Sequence, residues 1–153
     1  MGSNHSLTEQ DRIHELDGRI KLYQSQLAEK PDDPRIHHYL GLALYARDDI
    51  EGAASEFRHV LELNRNFPGT HVALAIALKE LGNLHEALVW ATRGVEFDSS
   101  DESAHFCLGT IQYERGEMDS AENSFRQVLQ LLPNHVEAKR MIEIMGRDYA
   151  DGF

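Results

Sequence analysis

The chain has 153 residues, and its 26 acidic residues against 15 lysines and arginines give a net charge of −11. This charge disfavours binding to nucleic acid or to an anionic membrane surface, and no apolar run is long enough for membrane insertion. The single cysteine, Cys107, excludes an internal disulfide. We therefore expect a cytoplasmic protein, with the periplasm or another compartment left open because Met1-Gly2-Ser3 resembles a cloning remnant.

The first predicted element is a long N-terminal helix over residues 7–30, preceded by a tag or disordered segment at 1–6. Ser6 and Glu9 have the spacing of a capping box, which satisfies free N–H groups at a helix start. Apolar residues then follow at steps of three and four, which indicates one buried helix face. This stripe consists of Ile13, Leu16, Ile20, Tyr23 and Leu27. The motif Pro31-Asp32-Asp33-Pro34 ends the helix.

After this helix the sequence repeats itself. Leu40 recurs as Leu74 and Leu108, a step of 34 residues (74 − 40), and Ala53 recurs as Ala87 at the same step. A fixed period of this length is typical of stacked helical repeats. The predicted divisions are three repeats at 34–67, 68–101 and 102–135, a C-terminal capping helix at 136–148 and a tail at 149–153.

Proline, asparagine and glycine mark the predicted helix ends within the repeats. Asp33-Pro34 places an N-cap before a proline at the first helical position, and Pro68 is expected to act in the same way. Asn83 and Glu86 have capping-box spacing. Asn134 opens the last helix, whose predicted buried side consists of Val136, Met141, Ile142 and Met145. The fold class is therefore all-α, with antiparallel helix pairs joined by loops of two to four residues.

The repeated pattern resembles the tetratricopeptide repeat (TPR). It has Leu40-Gly41, a small residue twelve positions later at Ala53, an aromatic at Phe57, and in the third repeat a proline at the repeat end, Pro133. The resemblance covers about residues 34–135 and implies a right-handed α-solenoid. Histidine replaces the family's aromatic at the fourth position of each repeat, and Ala91 replaces the aromatic of the second repeat, which is expected to weaken packing there.

The resemblance also implies a concave groove lined by the first helix of each pair. An exposed apolar surface with tyrosines around it is typical of an interaction site. The predicted peptide-binding groove consists of Arg35, His38, Tyr39, Leu42, Tyr45, Val72, Ile76, Lys79, Phe106, Thr110, Tyr113 and Arg140. The family's carboxylate clamp and asparagine ladder are both missing at the matching positions, which include His38, Ala73 and Cys107. Some groove residues could instead pack against the next repeat.

No catalytic or metal-binding motif is present, so we expect no catalytic residues, no cofactor and no metal. His37, His71 and His105 recur once per repeat, and the offset of about 10 Å between packed helices is too long for a shared zinc ion. Each is expected to fill a half-buried slot, with one ring nitrogen bonded to a backbone or side-chain partner. Cys107 has no base beside it in sequence.

The functional prediction is a non-catalytic adaptor that binds an apolar or amphipathic segment of a protein or peptide partner. Nucleic-acid binding and membrane insertion are not expected. Two alternatives stay open. The first is a self-associating scaffold, motivated by the apolar stripe of the N-terminal helix. The second is the excised recognition segment of a larger enzyme.

Overall fold

The computed structural model describes residues 8–151, which form eight α-helices. The helices are α1 (Glu9–Glu29), α2 (Pro34–Ala46), α3 (Ile50–Leu63), α4 (Thr70–Glu80), α5 (Leu84–Phe97), α6 (Glu102–Glu114), α7 (Met118–Leu131) and α8 (Val136–Asp151). The chain divides into two compact units, which end and begin at Thr70 and His71. The predicted segment 1–6 and the end of the predicted tail lie outside the described residues. Helix α8 continues to Asp151, past the predicted limit of 148.

The N-cap of helix α1 is Thr8, two residues later than the predicted cap. The Thr8 hydroxyl accepts the N–H of Asp11, and the Asp11 carboxylate accepts the N–H of Thr8 at 2.9 Å, which forms a complete capping box. Glu9 is therefore the first helical residue, and Ser6 lies outside the described residues. The predicted capping box of Ser6 and Glu9 therefore lies partly outside the described residues, and Thr8 and Asp11 form the same motif two positions later.

Acidic and amide side chains cap four of the inner helices. Asp33, Asp49, Asn83 and Asp101 each accept a backbone N–H from the first turn of the following helix. Such a bond pairs a donor that has no partner inside the helix. At α5 the predicted box is modified, since the Glu86 carboxylate accepts from the Asn83 side-chain amide at 3.0 Å. At α8 the cap is the His135 ring, whose Nδ1 accepts the N–H of Ala138 at 3.1 Å.

The start of α4 differs from the prediction. Pro68 lies two residues before the helix, which begins at Thr70. Gly69 intervenes with a φ of 75°, in the left-handed region, so the right-handed helix starts only after it. The loop between α3 and α4 is consequently residues 64–69, longer than the predicted two to four residues.

One turn position is left-handed in all three repeats. Gly82 and Gly116 have φ values of 76° and 79°, and both follow the first helix of their repeat. The equivalent residue of the first repeat is Asp48, with a φ of 69°. Aspartate tolerates this region better than most residues, but its Cβ still makes it less favourable than glycine.

The first unit contains α1, α2 and α3, and its core lies between α2 and α3. Phe57 is 1% exposed, and its ring lies against Gly41, where an added Cβ would be 2.6 Å from the ring Cε1. The ring of Phe57 therefore occupies the space that a side chain at position 41 would need. Helix α1 packs on the other side of α2 through its half-buried stripe, and Arg47 Nε donates to Asp17 Oδ1 at 2.8 Å.

The second unit contains most of α4 together with α5 to α8. In its third repeat, Gly109 faces Phe125 as Gly41 faces Phe57. In its second repeat both positions are alanines, Ala75 and Ala91, and both are fully buried. Toward α8, a cluster forms from Ala121, Phe125, Val128, Ala138 and Met145. Met141 and Ile142 pack on this cluster as predicted, but Val136 is 70% exposed and does not belong to the buried side.

Candidate functional site

In the first unit the predicted site residues lie on α2, and three of them form a continuous exposed stripe. Arg35, Tyr39 and Leu42 are spaced four and three residues apart, which places them on one helix face. Tyr39 is 52% exposed and Leu42 is 43% exposed. The Tyr39 ring stacks on Tyr23 of α1, with ring centroids 6.2 Å apart. We call the surface formed by Arg35, Tyr39 and Leu42 together with Tyr23 of α1 the α2 face.

An open cleft of about 420 Å³ borders the α2 face. It lies between the C-terminal half of α1 and the start of α2, and its lining includes Tyr23, Tyr39 and Arg35. The Arg35 guanidinium donates from Nε and Nη2 to the Asp33 carboxylate, at 3.2 and 3.0 Å. These bonds lower the pKa of Asp33 and raise the pKa of Arg35, so both groups are charged at neutral pH. The cleft therefore combines aromatic surface with the Arg35–Asp33 ion pair.

His38 and Tyr45, the other predicted residues of α2, are half-buried. The ring of His38 packs against Phe57 and Phe67, and its Nδ1 lies 2.9 Å from the hydroxyl of the fully buried Thr70. Burial lowers the pKa of His38, which favours the neutral ring. His38 serves the interior of the first unit more than its surface.

In the second unit, Val72 and Ile76 lie on α4 and are half-buried. Val72 occupies the space left by Gly94 of α5, since a Cβ added at Gly94 would be 3.1 Å from Val72 Cγ2. The positions equivalent to Gly94 in the other repeats are Val60 and Val128, which are fully buried. Val72 therefore supplies packing that a valine of the second helix supplies elsewhere.

On α6, Phe106 and Tyr113 pack on the cluster around Phe125. The Phe106 ring lies 5.5 Å from the Phe125 ring and stacks on His135 at 5.0 Å. The Thr110 hydroxyl donates to the carbonyl oxygen of Cys107 at 2.8 Å. These residues are half-buried and contribute to the core as well as to the surface.

The predicted charges of the second unit are Lys79 and Arg140. Lys79 Nζ lies 3.4 Å from Glu80 and 3.5 Å from Glu114. Partial burial opposes the charged ammonium, but the attraction of Glu114 and Glu80 outweighs it and raises the pKa of Lys79. Arg140 is exposed on α8. Lys79 is half-buried and already paired, which the sequence did not show.

Cys107 is 4% exposed, and burial raises the pKa of its thiol to about 12. A thiol in this state is not a nucleophile at neutral pH, since the thiolate is the reactive form. Among residues 8–151, no group of three or more histidine, cysteine or acidic side chains is arranged to hold a metal ion. None of the described helices is both long and apolar enough to cross a membrane.

The repeated histidines are packing residues with hydrogen bonds, as predicted. Nε2 of His37 donates to the carbonyl oxygen of Pro31 at 2.7 Å, and Nε2 of His105 bonds the carbonyl of Ser99 at 3.0 Å. His37 has a second partner, since its Nδ1 lies 2.6 Å from Glu56 Oε2. Each of these two histidines thus ties its helix to the loop that precedes it.

One contributor to the α2 face is absent from the predicted site. Tyr23 belongs to α1, whereas the prediction used only the first helix of each pair. The period of 34 residues places Tyr23 at the position of Phe57 (57 − 23). That equivalence marks position 23 as an aromatic position, but it does not show that the ring contacts α2.

The comparisons with known proteins identify the repeats. Residues 34–59 and 68–93 match the family model described as tetratricopeptide repeat. These two segments are tetratricopeptide repeats. The third repeat has the same contact as the first, since Gly109 lies against Phe125 as Gly41 lies against Phe57.

Solved TPR structures have the same fold. MamA superimposes with a TM-score of 0.85 at 17% identity, covering 94% of this chain and 85% of that chain. YrrB, described as a TPR protein with an unusual peptide-binding site, gives a TM-score of 0.77 at 20% identity, covering 90% of this chain and 71% of that chain. The predicted fold class, an all-α solenoid of antiparallel helix pairs, is confirmed.

A curated relative is the CTR9 homolog of Arabidopsis thaliana, which is 28% identical over 106 residues. The match covers 69% of this chain and 10% of the relative. The TPR chain therefore spans about a tenth of the length of the curated relative that it matches.

Proposed function

We propose that this TPR chain is a non-catalytic adaptor that binds an apolar or amphipathic segment of a partner protein. The observation that carries the proposal is the α2 face, where Tyr39 and Leu42 are both more than 40% exposed. Exposed apolar and aromatic surface beside charged groups is typical of protein interaction sites. The similarity to YrrB, a TPR protein with a peptide-binding site, supports the same class of function.

The α2 face favours a segment with apolar residues next to one acidic residue. Tyr23 and Tyr39 offer ring surface with few rotatable bonds, and Leu42 extends the apolar area. Arg35 uses two donors for Asp33, which leaves further guanidinium N–H groups for a partner carboxylate.

The proposal is tested with a peptide library displayed on phage and selected against the full chain. We expect enriched peptides to contain apolar residues with an acidic neighbour and to bind with dissociation constants of about 1–100 µM. Leu42→Glu should weaken the best peptide by about tenfold or more, because it places a charge where an apolar side chain must be buried. Isothermal titration calorimetry gives both affinities.

Leu63→Glu is the matched control. Leu63 is 37% exposed in the same unit, but it lies at the end of α3 and outside the α2 face. The two variants should have the same helical circular dichroism. Equal affinity of wild type and Leu42→Glu, or equal loss in both variants, would contradict the assignment of the α2 face.

A further inference from the structure

The solvent-facing side of α5 carries an apolar and aromatic patch that the peptide-binding proposal does not use. Val89 is 40% exposed and Phe97 is 45% exposed. Trp90 lies beside them, and the exposed Arg93 guanidinium stacks over its ring, 4.7 Å from the ring centroid. Together with Glu86 these residues lie at steps of three and four along the helix, so they share one face. We call them the α5 patch.

The other repeats share only the Phe97 part of this surface, where Leu63 and Leu131 are exposed. The positions of Val89, Trp90 and Arg93 are polar in both α3 and α7. They are Ser55, Glu56 and His59 in the first repeat, and Asn123, Ser124 and Gln127 in the third. Trp90 and Phe97 also pack against His71, with ring centroids 6.0 and 5.5 Å away. This contact explains why one side of each ring is buried. That packing explains neither the exposed Val89 nor the Arg93 placed over the indole.

The charges of the α5 patch are arranged so that it complements itself. Glu86 lies at one end and Arg93 at the other, about 10 Å apart along the helix axis at 1.5 Å per residue. Trp90 Nε1 donates to Glu86 Oε1 at 3.3 Å, which directs that carboxylate along the patch. In an antiparallel pair of α5 helices with a two-fold axis between positions 89 and 90, each Glu86 faces Arg93 of the other copy.

We propose that the α5 patch is a homodimer interface, in which α5 packs antiparallel against α5 of a second copy. Val89 and Trp90 of the two copies would form the apolar centre, and two Glu86–Arg93 pairs would fix the register. This arrangement removes the exposed Val89 from water and places each Glu86 beside an Arg93 of opposite charge. It is independent of the α2 face, so either proposal can fail without the other.

The first measurement is sedimentation equilibrium of the full chain from roughly 1 µM to 1 mM, a range that covers weak dimers. Salt at about 0.15 M screens the repulsion between two chains of net charge −11. We expect the mass to rise from one chain toward two. Trp90 is the only tryptophan, so its emission should shift to shorter wavelength over the same concentrations. A mass of one chain throughout, with constant emission, would overturn the proposal.

Charge reversal tests the register. Arg93→Glu and Glu86→Arg should each weaken the dimer by about tenfold or more, because like charges then face each other twice. A mixture of the two variants should restore wild-type affinity. Positions 86 and 93 are both acidic in Arg93→Glu and both basic in Glu86→Arg. When the two variants pair with each other, position 86 of each copy therefore faces an opposite charge at position 93 of the other.

Gln127→Glu, which adds an acid at the equivalent position of α7, is the matched control and should leave the dimer unchanged. Glu86 also contacts the cap residue Asn83, so Val89→Glu provides a variant that keeps the cap and should dissociate the dimer. A dimer that is insensitive to Arg93→Glu and Val89→Glu would overturn the proposal. So would a mixture that associates no better than its components.

Discussion

The first two repeats solve the same packing problem in opposite ways. Where α2 crosses α3, the glycine Gly41 accommodates the large ring of Phe57. At the equivalent crossing of the second repeat, Ala75 and Ala91 divide the space between two small side chains, and both are fully buried. The methyl group gained at position 75 replaces only a small part of the ring lost at position 91, so the alanine pair has the smaller summed volume. Because both alanines are fully buried, other side chains must occupy the remaining space at this crossing.

The largest expected effect comes from removing the ring of the first repeat. Phe57→Ala should lower the free energy of unfolding by about 3–5 kcal/mol, because it leaves a cavity beside Gly41. Gly41→Ala/Phe57→Ala reproduces the alanine pair of the second repeat. It should recover about 1 kcal/mol, since alanine is the better helix residue once the ring is gone. Urea unfolding measures both; a double variant less stable than Phe57→Ala would break the comparison.

Gly41→Ala alone should destabilise the protein by about 1–3 kcal/mol through overpacking. The added Cβ would be 2.6 Å from Phe57 Cε1, so the ring or the helix must shift. The sign is diagnostic, because the same change in an open helix position stabilises by about 1 kcal/mol. Thermal unfolding followed by circular dichroism gives the result. A gain in stability would show that the ring moves aside without cost.

A smaller change in stability is expected at the left-handed turn that follows the first helix of each repeat. Asp48→Gly should raise the free energy of unfolding by about 0.5–1 kcal/mol, because Asp48 has a φ of 69° where the other repeats have glycine. Gly82→Asp should give a loss of similar size in the second repeat. Urea unfolding of both variants checks the pair. Equal stability of Asp48→Gly and wild type would mean that local bonds of Asp48 offset its backbone strain.

The smallest effect concerns pH. His38 is equivalent to Val72, and only His38 can titrate. Its folded pKa lies below the ordinary value of 6.5, so the unfolded chain takes up the proton first as the pH falls. The contribution of His38 to stability is therefore present above about pH 6.5 and decreases below it. The difference in Tm between wild type and His38→Gln should decrease from about pH 7.5 to about pH 5. A constant difference would contradict this assignment.

Most helix ends were predictable because single residues with defined backbone preferences mark them. Asp33, Asn83, Gly82 and Gly116 each act as their chemistry predicts. The errors occurred where two signals competed. Thr8 and Asp11 form a capping box two positions after the predicted one, and the left-handed Gly69 separates Pro68 from α4. Sequence spacing identifies possible helix-start motifs, but it does not show which of two neighbouring motifs caps the helix.

The candidate site was less predictable than the fold. The period shows that His38, Val72 and Phe106 are equivalent, but it does not show which way they point. All three are half-buried and pack within their own unit, against Phe67, Gly94 and His135. Their orientation depends on the volume of neighbours on the second helix, which a helical period does not report. Tyr39 and Leu42, one and four positions further along α2, are the exposed members.

The buried thiol of Cys107 gives this protein a built-in reporter of unfolding. A thiol reagent can modify it only when α6 opens, so the labelling rate measures the free energy of that opening. Trp90, the only tryptophan, reports on the second repeat by fluorescence. Helical repeats interact mainly with their neighbours, and an array can therefore unfold all at once or repeat by repeat. Because one native probe lies in each of two adjacent repeats, the unaltered sequence can distinguish these two modes.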